Sequence, residues 1–67
     1  MLDIQLNGTK RSVNDSCTVH DLLVLQQLNP SHVVIEINET ILAKDTYAVT
    51  RIQPDDRIEI LWFVGGG

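Results

Sequence analysis

The chain has 67 residues, 43% of them apolar, with 9 acidic side chains against 5 basic ones and a formal net charge of -4. That length suits one small domain, which at this size buries only about 60% of the surface its unfolded chain exposes. The acidic balance disfavours nucleic acid as the main partner, because phosphate binding needs a basic stripe, and it fits either a basic protein surface or plain solubility.

Cys17 is the single cysteine, so no internal disulfide forms and a reducing cytoplasm is the simplest compartment. No Cys/His cluster has metal-ligand spacing. The opening MLDIQL lacks the charged flank and apolar run of a signal peptide, and no segment approaches a membrane span. Tyr47, Trp62 and Phe63 are the only aromatics, which leaves the packing to isoleucine, leucine and valine.

In MLDIQL, Leu2, Ile4 and Leu6 alternate with polar residues, as in a half-buried strand. Asn7-Gly8 then signals a hairpin into TKRSV. A two-residue turn pairs Leu6 with Thr9, Ile4 with Arg11 and Leu2 with Val13, which puts Arg11 on the apolar side with its charge reaching water. A longer loop relieves this, and the sequence does not choose between the two.

After the NDSC loop, Thr18 is a good helix N-cap, and Asp21 stands where a capping box and the positive helix end both favour it. Val19, Leu22, Leu23 and Leu28 can share one face of the helix, with Leu25 at its edge. Asn29-Pro30 is expected to end it. So short a helix is unstable alone and needs a sheet to cover.

VVIEI is the expected central strand, with Val33, Ile35 and Ile37 on one face. NET turns the chain, and ILA is a brief strand. KDTYAVTRI has no clean period and fits a short helical turn or loop. Pro54-Asp55-Asp56 is a turn signal. RIEILWFV is the last strand: Ile58, Ile60, Trp62 and Val64 form one face, and Glu59, Leu61 and Phe63 the other. The core expected from this pattern is Leu2, Ile4, Leu6, Val33, Ile35, Ile37, Ile58 and Ile60, with Leu22, Leu23 and Leu28 packing from the helix.

One helix covering a mixed sheet is a two-layer α+β solution. With the last strand beside the first, the element order matches a ubiquitin-like β-grasp. Residues 1–64 form the domain, and residues 65–67 are expected to project as a mobile tail, since glycine loses most entropy on ordering and has nothing to pack. Trp62 is expected at the core or its rim. Outward apolar residues, Leu61 and Phe63, mark a contact surface for a partner.

A tail without side chains can thread a narrow channel and carry the Gly67 carboxylate to a distant active centre. A carboxylate is a poor electrophile until it is activated, for example as an acyl-adenylate that a sulfur nucleophile then attacks. The chain has no glycine-rich phosphate loop for that work, so a separate enzyme has to supply it. The plain counterpart is an inert frayed end.

The segments so far, taken together, resemble the ubiquitin-like sulfur carrier family of thiamine biosynthesis. The resemblance runs through the strand to Asn7-Gly8, TVHDLL at residues 18–23, VVIEINETIL at 33–42 and IQPDDRIEILWFVGGG at 52–67. It implies a β-grasp whose Gly67 is adenylated by a ubiquitin-activating-like adenylyltransferase and converted to a thiocarboxylate. Sulfur arrives directly or from a sulfur-donating protein, and the loaded carrier serves thiazole synthase. ATP is consumed by the activating partner, and no cofactor is held stably. Gly65 and Gly66 carry over as the approach to the activated end, and Leu61 and Phe63 as part of the contact face. The chain departs from the usual pattern at Asn38-Glu39, where Asn-Gly is common, and at Asp55-Asp56, where a glycine is common; both changes fall in turns. The small subunit of molybdopterin synthase, a ubiquitin-like modifier and a noncatalytic β-grasp module are the alternatives.

Other chemistry-bearing residues have plainer explanations. His20 and His32 read as surface. Cys17, just before the N-cap, has the position of a lowered-pKa thiol but also that of an incidental small residue. Asp55 and Asp56 read as turn carboxylates, and Arg51 and Arg57 as surface charges.

Overall fold

The computed structural model describes residues 1–62. Strands β1 (Leu2–Leu6) and β2 (Thr9–Val13) form the first hairpin, followed by helix α1 (Val19–Leu25). A 3-10 turn at Pro30–His32 leads into β3 (Val33–Ile37) and β4 (Thr40–Ile41), a second 3-10 turn at Lys44–Thr46 follows, and β5 (Arg57–Trp62) closes the described chain. The five strands lie in the order β2-β1-β5-β3-β4. β1 and β5 are parallel at the centre, and the other pairs are antiparallel. This is the expected ubiquitin-like β-grasp, a mixed sheet covered on one face by one helix.

The first hairpin takes the two-residue turn. Leu6 pairs with Thr9, Ile4 with Arg11 and Leu2 with Val13. Asn7 and Gly8 have φ values of 49° and 81°, the two positive values a type I′ turn requires. Arg11 stays exposed on the side that buries Val13.

The helix starts as its sequence dictates and ends differently. Thr18 Oγ1 accepts from the Asp21 N–H at 3.1 Å, and the Asp21 carboxylate accepts from the Thr18 N–H at 3.0 Å, completing the capping box. The two remaining free N–H groups of the first turn, on Val19 and His20, donate to the carbonyls of Thr50 and Tyr47. The segment that shows no period in sequence thus finishes the helix N-terminus.

Pro30 does not stop the helix. Gln27 adopts a left-handed φ of 59°, its N–H donates to Val24 O, and the Leu28 N–H donates to Leu23 O. This is a Schellman motif, which usually places glycine at the left-handed position. Leu28 is therefore past the helix, half-buried against the core from the motif's return.

The core holds the expected Ile4, Leu6, Leu22, Leu23, Val33, Ile35, Ile58 and Ile60, while Leu2, Ile37 and Leu28 are half-buried at its margin. Val13, Cys17, Val19, Tyr47 and Ile52 complete it. Tyr47 and Ile52 enter because residues 43–52 lie along the start of α1: the Ile52 N–H donates to Cys17 O, and Arg51 bridges Thr18. Full burial of each such side chain contributes about 1.5–3 kcal/mol.

Candidate functional site

β5 runs from the centre of the sheet toward the glycine end. Phe63, Gly65, Gly66 and Gly67 of the expected site, and the boundary at residue 64, lie outside the described residues. Leu61, the remaining expected site residue, is 46% exposed. It points away from the helix because it alternates with the buried Ile58 and Ile60.

The register across β3, β4 and β5 defines what surrounds Leu61. It sits opposite Val34, Glu59 sits opposite Glu36, and Glu36 also pairs with Ile41. The open face therefore carries three apolar side chains, Val34, Ile41 and Leu61, around two directly opposed carboxylates. Ile41 is 68% exposed. Like charges facing each other across strands destabilise a sheet, and neither glutamate has a salt-bridge partner among the described residues. Such a face suits a partner surface with apolar contacts and a basic side chain.

Sequence reasoning found Leu61 but not Ile41, Val34 or the glutamate pair as its neighbours. The available signal was the matching position of the glutamates, each the one charge in an apolar run, VVIEI and IEIL. Only the register shows that the two meet.

Trp62 shares the parity of Ile60 and faces Val33 across β3, yet it is 53% exposed. The described β1 ends at Leu6, opposite Ile58, so no β1 residue flanks Trp62. Against expectation it is an exposed residue, outside the core and the half-buried margin formed by Leu2, Leu28, Ile37 and Leu42.

The other reactive groups are accounted for by packing. Cys17 is 3% exposed, and burial, then the neighbouring Asp21 charge, push its thiol pKa up. It is a core residue, protonated at neutral pH, rather than a nucleophile. The Asp21 carboxyl is held below its ordinary value by its hydrogen bonds with Thr18. His20 and His32 are exposed. Among the described residues no group of three His, Cys, Asp or Glu side chains is placed to hold a metal ion, and no helix is long and apolar enough to cross a membrane. Of two shallow clefts, one of about 320 Å³ lies beside Asp3, Lys10 and Arg57, and one of about 260 Å³ places Cys17 near Asp21, but there the thiol is buried and the carboxylate is engaged by Thr18.

Comparison with known proteins follows the same architecture. A model of the ThiS family matches residues 4–67. The sulfur carrier protein ThiS of Bacillus subtilis is 40% identical over 65 residues, covering 96% of this chain and 98% of that protein. A thiazole synthase of Magnetococcus marinus is 33% identical over 66 residues, but the chain spans only 20% of that protein's length. The crystal structure of the thiamine biosynthesis protein ThiS from Geobacter metallireducens superposes with a TM-score of 0.85 at 28% identity, covering 98% of this chain and 100% of the other. A single β-grasp matched along its whole length by a carrier protein and a solved structure, and by the family as far as the last glycine, belongs to the ThiS family.

Proposed function

We propose that this chain is a sulfur carrier for thiamine biosynthesis, and that its chemistry is confined to the Gly67 carboxylate. A ubiquitin-activating-like enzyme transfers AMP from ATP to that carboxylate, releasing pyrophosphate. The terminal sulfur of a donor persulfide then attacks the acyl carbon and AMP leaves; a thiol cleaves the S–S bond of the resulting acyl disulfide, which frees the thiocarboxylate and forms a disulfide with the donor sulfur. That end delivers its sulfur to thiazole synthase. ATP and its metal belong to the activating enzyme, and the carrier is a co-substrate rather than a catalyst.

The observation that carries this reading is the match of the whole chain to a named sulfur carrier at 40% identity. In the relative from Magnetococcus marinus, a stretch like this one makes up a fifth of a protein named thiazole synthase, which supports thiazole synthase as the consumer. In this reading residues 1–64 are the docking body, residues 65–67 approach the partner's active centre, and Leu61 and Phe63 help form the contact. Val34 and Ile41 extend the apolar face around Leu61, and Glu36 with Glu59 favours a basic partner surface. The reducing cytoplasm is the compartment that suits the unpaired Cys17.

The test is intact-mass analysis after incubation with ATP, a competent activating enzyme and a sulfur source. The expected result is replacement of one oxygen by sulfur, localised to Gly67. Finding neither the adenylate nor the exchange defeats the proposal. Reconstitution with thiazole synthase then tests the destination of the sulfur.

A further inference from the structure

β2 and β4 are the outer strands of the sheet. β4 is two residues long, whereas β2 offers an edge of five. The hydrogen bonds of β1 decide which groups of β2 face outward. The Gln5 N–H donates to Asp56 O, and Asp3 O accepts from the Asp55 N–H, so the backbone polar groups of Asp3 and Gln5 point toward β5. The residues opposite them on β2 are Ser12 and Lys10. In an antiparallel pair these cannot then exchange ladder bonds with β1. Their N–H and C=O groups point away from the sheet and form a free ladder for one more strand.

The side chains along this edge are basic. Lys10 and Arg11 are consecutive and exposed, in a chain with 5 basic residues against 9 acidic ones. They stand on opposite faces of the strand: Arg11 on the helix side with Ile4, Lys10 on the open side with Gln5. Lys10 lies 3.7 Å from the exposed Asp3 carboxylate, a surface pair worth little. Arg11 has no ion pair or side-chain hydrogen bond among the described residues. Charges on an edge strand discourage like edges from pairing. Two β2 strands laid antiparallel across Arg11 would set one guanidinium against the other. The same charges attract a strand that carries carboxylates.

We propose that β2 is a docking edge for an extended acidic segment of a partner protein, which adds a further strand to the sheet. Its backbone pairs with Lys10 and Ser12. Two adjacent carboxylates, one on each face of the added strand, meet Lys10 and Arg11. Arg11 occupies the non-hydrogen-bonded position of an antiparallel addition, where facing side chains come closest. Its charge is also unshared, so it contributes more to recognition than Lys10. This edge goes beyond the carrier reading and does not depend on it. β1 separates β2 from β5, so the added strand leaves the face around Leu61 and Ile41 open.

The experiment titrates the full chain with the capped peptide Thr-Val-Glu-Glu-Val-Thr at low salt and follows the amide resonances by NMR. The Lys10 and Ser12 amide protons are expected to move downfield as they acquire acceptors, and the Arg11 N–H, already bonded to β1, to move less. Exchanging both peptide glutamates for glutamine, or making Arg11→Gln in the chain, is expected to weaken binding about two- to fivefold each, and Lys10→Gln to weaken it less. Both substitutions are on exposed positions, and unchanged resonances away from β2 verify the fold. The absence of shifts at Lys10 and Ser12 with millimolar peptide overturns the proposal. So do shifts centred on another edge or face, equal binding of the glutamine peptide, or unaltered binding by Arg11→Gln. Single-stranded oligothymidylate that reproduces the same shifts makes the edge a general anion surface, and shifts that grow with the concentration of the chain alone assign it to a second copy; either result also overturns it.

Discussion

The two tight hairpin turns share a backbone and differ in one residue. Asn7-Gly8 joins β1 to β2 with φ values of 49° and 81°, and Asn38-Glu39 joins β3 to β4 with 52° and 72°. In each, the asparagine side chain turns toward β5. Asn38 Oδ1 accepts from the Arg57 N–H at 3.0 Å, and its Nδ2 donates to the Asp56 carboxylate at 3.0 Å. Asn7 does the corresponding work at Ile60. The second turn secures the start of β5 and the first its middle, at Ile60. The second positions differ because each has a different surrounding: Gly8 has nothing within 4 Å of a built Cβ, whereas Glu39 trades left-handed strain for an exposed ion pair with Arg57 at 3.7 Å. The lesson is that the asparagine at each turn is tied to the tertiary structure, while the residue after it is a local matter of backbone strain.

That comparison is breakable. Asn38→Ala should have the largest effect, costing about 2 kcal/mol through two lost hydrogen bonds and a left-handed alanine; urea unfolding checks it, and a loss well under 1 kcal/mol would make the start of β5 independent of this side chain. Gly8→Ala should cost about 1–2 kcal/mol by strain alone, since space is open, and thermal unfolding reads it directly. Glu39→Gly should do the opposite and stabilise by up to about 1 kcal/mol, because an exposed ion pair is worth little against left-handed strain.

Gln27→Gly extends the same logic to a left-handed residue at the helix end and should stabilise by about 0.5–1 kcal/mol. The smallest effect is the control at the other helix end, where no left-handed residue is involved. The Asp21 carboxyl has a lowered folded-state pKa, so its contribution is complete above about pH 4 and fades as pH falls through the folded value. An acid-unfolding comparison should therefore find Asp21→Asn less stable at neutral pH and indistinguishable once the carboxyl is protonated.

Much of the fold was legible because the periods are local. Leu2, Ile4 and Leu6 announce β1, Thr18 with Asp21 announces the helix start, and Val33, Ile35 and Ile37 announce the central strand. Tyr47 and Ile52 were not legible, since their burial comes from a non-periodic segment lying across the helix N-terminus. The helix end was misplaced because proline is a visible stop, whereas Gln27 holds a left-handed turn without the glycine that usually signals one. Of the candidate site, the outward direction of Leu61 followed from strand parity, while the role proposed for the Gly67 carboxylate rests on resemblance. The Glu36–Glu59 pair and the reach of Asn7 to Ile60 needed the strand order.

The sequence by itself determined the elements, the faces they bury and the glycine end, because alternation, helical spacing and capping act over a few residues. Only the tertiary structure decided which strands are neighbours, and with them the two asparagine ties on β5, the opposed glutamates and the exposure of Trp62. The Asn7 tie depends on the parallel pairing of β1 with β5, a contact between residues more than 50 positions apart, and the glutamate pair and the Asn38 tie on the antiparallel pairing of β3 with β5; no local pattern encodes either.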